Sequence, residues 1–231
     1  MTSAPLILIP GLLNDADLWR DQVAALSSRF KVHVADITRG ETMAALVETT
    51  FDLSDGPVAV AGFSLGGYVA QAMLKQSPER IERLALLDTG FRPDTPERAA
   101  ERAHLTQLAT ASGKFLGIGD RLLGSYLAPN HVANPDMAGR VKAMTRRLGA
   151  EVFIRQSGLM REDGEAALRA FTGPALVLCG EVDQITPPEG HGEMAALMPH
   201  AELVIAPGCG HLTPIEAPEL VSGALARWME R

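Results

Sequence analysis

Short apolar runs recur along the chain and alternate with longer amphipathic stretches. Runs of this length with few polar positions are typical of strands buried on both faces, as in a parallel sheet. They occupy residues 6–9, 31–35, 57–61, 84–87, 175–179 and 203–205. Because helical stretches lie between them, the pattern predicts an α/β fold, with a mostly parallel sheet of about six strands flanked by helices.

The stretches between the runs carry the start and stop signals of helices. Asn14 or Asp15 can cap a first helix, and Ser77 and Pro78 mark the end of another. The final helix begins near Pro218, and its apolar residues recur at the spacing of a face that packs on a core. Further helices are predicted over residues 43–50, 68–74 and 190–197.

The alternation stops at residue 91 and resumes only after residue 168. The intervening sequence is rich in alanine and arginine and shows no clear strand, and its glycines and prolines divide it into about four short helices. Such a length exceeds that of an ordinary connection. We therefore expect a core made of residues 1–90 and 169–231, with a helical insertion over residues 91–168.

Composition and charge narrow the class of protein. The 231 residues fit one α/β domain, and the formal net charge of −7 argues against nucleic acid as a partner. No apolar run approaches the length of a membrane span, and the first residues lack the features of a signal peptide. The two cysteines give no disulfide framework. A cytoplasmic location is expected.

The turn after the third apolar run carries the best candidate for a nucleophile. Residues 62–66 read Gly-Phe-Ser-Leu-Gly and lie between a strand and a helix, the context that the G-x-S-x-G motif requires. Such a turn holds Ser64 in a strained conformation and exposes its hydroxyl above the sheet. The backbone N–H of Leu65 then lies at a helix N-terminus, where it suits a developing oxyanion. The alternative is an ordinary serine in a glycine-rich turn.

A serine hydroxyl becomes a useful nucleophile only when a base takes its proton, and the base needs an orienting carboxylate. Loops that follow parallel strands converge at one edge of a sheet. Asp183 and His211 each lie in such a loop, and the order Ser64, Asp183, His211 is the order expected on this architecture. Asp88 also follows a strand and is the reserve acid.

Other reactive side chains have less support as catalytic or metal-binding residues. Cys179 and Cys209 lie near the predicted catalytic loops, but two cysteines without zinc-type spacing favour buried free thiols over a thiol catalyst or a metal site. His104 and His131 lie in the insertion, where surface positions are favoured over substrate contact. No phosphate-binding loop or dinucleotide fingerprint is present, so no cofactor and no metal are expected.

Three motifs in this order resemble those of the α/β-hydrolase superfamily: GFSLGG around Ser64, GEVDQITPP around Asp183, and Gly-His at residues 210–211. The resemblance implies an α/β-hydrolase fold in which residues 91–168 form a helical cap. It also implies an oxyanion hole made by the backbone N–H groups of Leu12 and Leu65. Two departures are a Pro-Gly pair at residues 10–11, where the family usually has His-Gly, and the absence of two strands often found before the first one.

The same resemblance implies a cofactor-independent serine hydrolase that cleaves a small ester, lactone or thioester through a Ser-His-Asp triad and an acyl-enzyme. Alternatives within the superfamily are a C–C bond hydrolase, a haloperoxidase or a lyase, and a small-molecule receptor with little turnover. The chain up to the GFSLGG turn is similar to carboxylesterases that act on carrier-protein-bound acyl chains, and the slightly basic insertion would suit an acidic carrier protein. Oligomeric state is left open.

Apolar residues of the insertion exceed what a solvated loop requires. Some should pack on the core, and the remainder should line an enclosed apolar pocket that favours small to medium substrates. The residues are Phe115, Leu116, Leu122, Leu123, Tyr126, Leu127 and Met137.

Overall fold

The computed structural model describes residues 4–111 and 117–231 and contains a six-stranded sheet in which every neighbouring pair is parallel. The strand order is β2-β1-β3-β4-β5-β6. This confirms the predicted parallel α/β sheet. The strands are β1 (Leu6–Ile9), β2 (Val32–Val34), β3 (Val58–Phe63), β4 (Ile81–Leu87), β5 (Ala175–Gly180) and β6 (Ala201–Ala206).

Helices occupy most of the sequence between the strands. They are α1 (Arg20–Leu26), α2 (Met43–Phe51), α3 (Leu65–Gln76), α4 (Pro96–Ala111), α5 (Asp120–Tyr126), α6 (Pro129–Val132), α7 (Pro135–Gly158), α8 (Glu165–Ala170), α9 (Pro188–Leu197), α10 (Thr213–Glu216) and α11 (Pro218–Glu230). Of the two candidate caps for the first helical turn, Asp15 is the one used, because its side chain accepts a hydrogen bond from the N–H of Asp17. Within the described ranges, no helix combines the length and apolarity needed to cross a bilayer.

The core consists of two layers, one on each face of the sheet. Alternate side chains of β1 point in opposite directions, so Leu6 and Leu8 join one layer while Ile7 and Ile9 join the other. The first layer includes residues of α1 and α11, and the second includes residues of α2, α3 and α9. This two-sided burial explains why the strands appear in the sequence as nearly continuous apolar runs.

The last strand, β6, lies at one edge of the sheet, as β2 does at the other. Leu203 and Ile205 of β6 are 42% and 37% exposed, whereas all six residues of β5 are buried. The prediction of a strand at residues 203–205 is confirmed, because they lie within β6, although this strand is only partly buried.

The prediction of about four short helices for residues 91–168 is wrong. The described part of this segment contains five, and two of them are long: α4 has 16 residues and α7 has 24. Pro129 and Pro135 do begin helices, but Gly124 lies inside α5 rather than ending it. Gly149 has a φ of 73° and a ψ of −174°, which are not helical values, so α7 consists of two helical stretches joined at a kink.

Candidate active site

The carboxyl ends of β1, β3, β5 and β6 lie along one edge of the sheet, and the loops that follow them carry Leu12, Ser64, Asp183 and His211. A cavity of about 640 Å³ opens at this edge. Leu12, Ser64, Leu65 and His211 line it, together with residues from the segment between β4 and β5. Parallel sheets commonly bind ligands in this position.

Ser64 lies in a turn that only glycine neighbours allow. Its φ is 51° and its ψ is −114°, a strained conformation for a residue with a side chain. A Cβ added to Gly62 would lie 2.3 Å from the carbonyl oxygen of Gly66, and one added to Gly66 would lie 2.3 Å from that of Ile9. Because both obstacles are backbone atoms, the chain cannot relieve them by rotating a side chain. The two glycines therefore permit the close turn that presents Ser64.

Ser64, His211 and Asp183 form a continuous series of hydrogen bonds. The Oγ of Ser64 lies 3.1 Å from Nε2 of His211, and Nδ1 of the same ring lies 2.8 Å from Oδ2 of Asp183. Since a carboxylate only accepts, Nδ1 carries the proton and Nε2 is left as the acceptor for the serine hydroxyl. The sequence analysis selected these three residues as a group, and the fold brings them into contact.

The pKa of the Asp183 carboxyl is lowered. Burial alone would raise this pKa, but it is outweighed by the charge and hydrogen bond of His211 together with hydrogen bonds from Thr186. The side chain accepts from the N–H groups of Ile185 (2.8 Å) and Thr186 (3.1 Å) and from the Thr186 hydroxyl (2.7 Å). Asp183 therefore stays ionised beside the imidazole at neutral pH.

Asp88, the reserve acid, has different partners. One oxygen accepts the N–H of Gly180 at 3.0 Å, and the other contacts the Thr213 hydroxyl. Full burial, followed by the nearby charge of Asp183, raises the pKa of Asp88 well above its usual range. A carboxyl with a raised pKa favours its neutral, protonated form. Asp88 is therefore suited to hydrogen bonding beneath the site and not to stabilising a cationic imidazole.

Leu65 and Leu12, the expected oxyanion-hole residues, both line the cavity that contains Ser64. Leu65 is the first residue of α3, so its N–H has no acceptor within the helix. Leu12 lines the same cavity. The next residue, Leu13, has a φ of 55° and donates its N–H to Oε1 of Gln156 at 2.8 Å, while Nε2 of Gln156 donates to Ile37 at 3.2 Å. Gln156, a buried residue of α7, thus holds the loop that carries Leu12.

Two aromatic rings flank the imidazole of His211. The centroid of Phe63 lies 5.2 Å from that of the imidazole, and the centroid of Tyr126 lies 5.9 Å away in an edge-on arrangement. The backbone N–H of His211 also donates to the carbonyl of Tyr126 at 2.8 Å. The last turn of α5 therefore restricts both the ring and its backbone.

Glu216 fixes the loop around His211 from below. Its buried carboxylate accepts the N–H groups of Gly210 and Leu212, both at 3.1 Å, on either side of the histidine. It also accepts the N–H of Ala128 at 2.8 Å and lies 2.8 Å from Nδ1 of His131. The sequence analysis missed Glu216. The available signal was a carboxylate in the otherwise apolar start of the final helical region.

His191 connects the loop of Asp183 to the turn of Ser64, and the sequence analysis missed this residue too. Its Nε2 accepts the N–H of Thr89 at 3.0 Å, and its Nδ1 donates to the carbonyl of Pro187 at 3.2 Å. The Thr89 hydroxyl donates in turn to the carbonyl of Ser64 at 2.7 Å. Burial lowers the pKa of His191, so the ring stays neutral and keeps its acceptor.

The cysteines and the histidines of the insertion lie outside the series formed by Ser64, His211 and Asp183. Cys179 and Cys209 are buried free thiols, as predicted. Burial raises the pKa of both, that of Cys209 to about 12, which disfavours the nucleophilic thiolate. His104 is exposed on α4, and His131 is bound to Glu216. Across the described residues, no group of three or more His, Cys, Asp or Glu could hold a metal ion.

The cavity is apolar only in part. Leu122 and Tyr126 do line the cavity, and so do the charged residues Arg98, Arg102 and Arg161. The other apolar candidates divide as follows: Leu123 and Leu127 are buried in the core, Met137 packs against it, and Phe115 and Leu116 lie outside the described residues.

Known proteins are similar to this chain over nearly its whole length. A model described as the alpha/beta hydrolase family matches residues 6–224. The chain is 26% identical over 229 residues to a pimeloyl-(acyl-carrier protein) methyl ester esterase of Nitrosomonas europaea, a match that covers 93% of this chain and 91% of that protein.

Two solved structures are similar over almost the whole chain. A thermophilic esterase from Thermogutta terrifontis, with malate bound, has a TM-score of 0.88 at 28% identity and covers 99% of this chain and 90% of its own. An enol-lactonase from Burkholderia xenovorans has a TM-score of 0.83 at 23% identity, covering 99% of this chain and 91% of its own, which shows a shared fold only. With the family model spanning nearly all of the sequence, this chain belongs to the alpha/beta hydrolase family.

Proposed function

We propose that this chain is a serine hydrolase that cleaves carboxylic esters through an acyl-enzyme on Ser64. The observation that carries the proposal is the hydrogen-bonded series from Ser64 Oγ through His211 to Asp183, with distances of 3.1 and 2.8 Å. The relatives named above as esterases support the choice of an ester over the other bonds that this family cleaves.

In the first half of the reaction, Ser64 attacks the ester carbonyl while Nε2 of His211 takes the hydroxyl proton. The negative charge that develops on the carbonyl oxygen is stabilised by the N–H groups of Leu12 and Leu65. Each such donor is worth about 10²–10³ in rate. His211 then returns the proton to the leaving alcohol, and Asp183 stabilises the imidazolium between these two transfers.

In the second half, a water molecule takes the place of the alcohol. His211 removes its proton as it attacks the acyl carbonyl, and the same N–H pair stabilises the oxyanion again. Collapse of this intermediate releases the carboxylic acid and regenerates the Ser64 hydroxyl. No cofactor is required, because all proton transfers use the one imidazole.

Residues 91–168 act in this proposal as a cap over the site. Parts of this segment line the cavity with Ser64, among them residues of α4, α5 and α7. A cavity of about 640 Å³ is in the range that holds small molecules. We therefore expect small to medium esters, with lactones and thioesters as the first alternatives to compare.

The test is covalent labelling combined with turnover. A fluorophosphonate probe should form one adduct, on Ser64, and short-chain esters should be hydrolysed over many turnovers. Ser64→Ala should abolish both. Labelling that persists in Ser64→Ala would remove this residue from its role, and a single burst without turnover would identify a receptor of this fold instead of an enzyme.

A further inference from the structure

Three arginines line the cavity that contains Ser64. Arg98 and Arg102 belong to α4, and Arg161 lies in the loop between α7 and α8. Two carboxylates, Asp94 and Glu101, line the same cavity, so the three guanidinium groups leave its wall with an excess of one positive charge. Their protein partners show which of them is available for a ligand.

One of the three arginines is paired with a carboxylate of the protein. Arg102 forms an ion pair with Asp94, and both side chains are largely buried. Arg98 donates to the carbonyl of Ile185 at 3.0 Å, next to the loop of Asp183. The ion pair holds Arg102 at the cavity wall, whereas Arg98 is exposed and held by this one hydrogen bond.

Arg161 is different. It donates one hydrogen bond, to the carbonyl of Leu159 at 2.9 Å, and its guanidinium lies 6.0 Å from the centroid of the Tyr68 ring. Within residues 4–111 and 117–231, no carboxylate lies within ion-pair distance of it. A guanidinium carries five N–H donors, so most of those on Arg161 remain available to a ligand.

The position of Arg161 is unfavourable without a ligand. Burial, followed by repulsion from Arg102, lowers the pKa of Arg161 to about 10, although the charge of Asp94 acts in the opposite direction. The group therefore remains charged near neutral pH. A lowered pKa of a cationic group means that its charged form is less stable here than in water. An anion bound beside Arg161 would remove this cost.

We infer that Arg161, flanked by Arg102 and Arg98, binds a carboxylate of the substrate, which makes the site selective for esters that carry a second, free acid group. The inference rests on the proposed esterase function and specifies its substrate class. Arginine suits this role because its planar fork binds a carboxylate through two parallel hydrogen bonds.

The separation of Arg161 from Ser64 limits the substrate. Tyr68 follows Ser64 by about one turn of α3, about 6 Å along the helix axis, and the guanidinium of Arg161 lies over its ring, 6.0 Å from the centroid. We therefore expect the carboxylate and the reacting carbonyl to be several bonds apart. Half-esters of glutarate and adipate satisfy this separation better than a half-ester of oxalate.

The experiment compares substrates that differ only in charge. Proton release measures kcat/KM for monomethyl glutarate and for methyl glutaramate, in which an amide replaces the free acid. A second pair carries the acid on the alcohol side: 4-acetoxybutanoate and its amide. The wild type should prefer the acid in at least one pair by about ten- to a hundredfold, the range of a charge-assisted hydrogen bond.

Substitutions of individual arginines test whether the preference for the acid over the amide depends on Arg161. Arg161→Gln should lose most of it and Arg161→Lys should keep a part. Arg169→Gln, which removes an exposed arginine of α8 that pairs with Glu165, should behave as the wild type. Equal rates for acid and amide in both pairs, or a preference that survives Arg161→Gln, would overturn the inference.

A binding measurement separates this inference from the proposed function. Calorimetry on Ser64→Ala should detect glutarate and not glutaramide, and the binding should disappear in Ser64→Ala combined with Arg161→Gln. Glutarate should also raise the Tm of the wild type and leave that of Arg161→Gln unchanged. Hydrolysis of neutral esters without glutarate binding overturns the inference alone. Glutarate binding through Arg161 without hydrolysis of any ester overturns the esterase proposal alone.

Discussion

Two buried carboxylates, Asp183 and Asp88, lie at the same edge of the sheet, and their surroundings shift their pKa values in opposite directions. Asp183 receives hydrogen bonds from Thr186 and faces an imidazole that becomes cationic. Asp88 lies deeper and within reach of the charge on Asp183. The two residues should therefore respond differently to the same substitution by asparagine.

Asp183→Asn should leave the fold intact and lower kcat by about 10⁴. The amide nitrogen cannot accept the proton on Nδ1 of His211, so the imidazole loses both its orientation and the charge that stabilises its cation. Steady-state kinetics on a short-chain ester, with circular dichroism as the control for folding, provide the measurement. Near-normal activity in this variant would show that another residue is the acid.

Asp88→Asn should keep its activity and gain thermal stability at high pH. Because the folded-state pKa of Asp88 is raised, the stability from its protonated form is complete below the unfolded pKa and is lost as pH rises through the folded pKa. Asparagine has no proton to lose.

The Tm values of Asp88→Asn and the wild type should therefore agree near pH 4 and separate at pH 8 to 9, by about 2–4 °C for each kcal/mol lost by the wild type. Asp55→Asn, which changes an exposed aspartate, is the matched control. A constant difference across this pH range would mean that Asp88 is ionised throughout.

At the scale of elements, α7 supports the site through one side chain. Gln156 accepts the N–H of Leu13 and donates to Ile37, so it connects α7 to the loops that follow β1 and β2. The positive φ of Leu13 shows that this loop depends on tertiary contacts to keep its shape. Leu12, the proposed oxyanion donor, is adjacent.

Gln156→Ala should lower kcat by about ten- to a hundredfold with little change in KM, because the buried N–H of Leu13 loses its acceptor and the loop shifts. Gln156→Glu should recover part of the loss, since a carboxylate still accepts from Leu13. Glu151→Gln, at an exposed position of the same helix, serves as the control. An effect confined to Tm, with kcat unchanged, would assign Gln156 to folding alone.

The contrast between Ser64 and Gln156 shows what the sequence can predict. Ser64, Asp183 and His211 follow apolar runs in a known order, so each has a local signal and the parallel sheet brings them to one edge. Gln156 reaches Leu13 across 143 positions of the chain, and no local pattern marks it.

The same limit applies to the charged wall of the cavity. The side of α4 that carries Arg98 and Arg102 is determined by packing between helices, which the sequence alone leaves open. The strands were predicted because burial on both faces leaves a strong local pattern. The helices of the insertion were predicted less well, because their boundaries depend on neighbours distant in the chain.

At the scale of the whole molecule, the cavity limits the length of the acyl chain. With a volume of about 640 Å³ and walls that include charged side chains, it should hold short and medium chains and exclude long ones. Across esters from acetyl to palmitoyl, kcat/KM should pass through a maximum and then fall. A steady rise to palmitoyl would contradict a closed pocket.

The segment between β4 and β5 lines the cavity and also holds the loops around it, which limits how this hydrolase can be recombined with its relatives. Tyr126 supplies the carbonyl that holds the backbone of His211, Ala128 supplies an N–H to Glu216, and Gln156 holds the loop next to Leu12. A chimera that received this segment from another family member would lose all three supports unless the donor placed equivalent atoms at the same points. Exchanging substrate specificity by grafting is therefore expected to cost catalytic rate, whereas point changes on the cavity wall leave these supports in place.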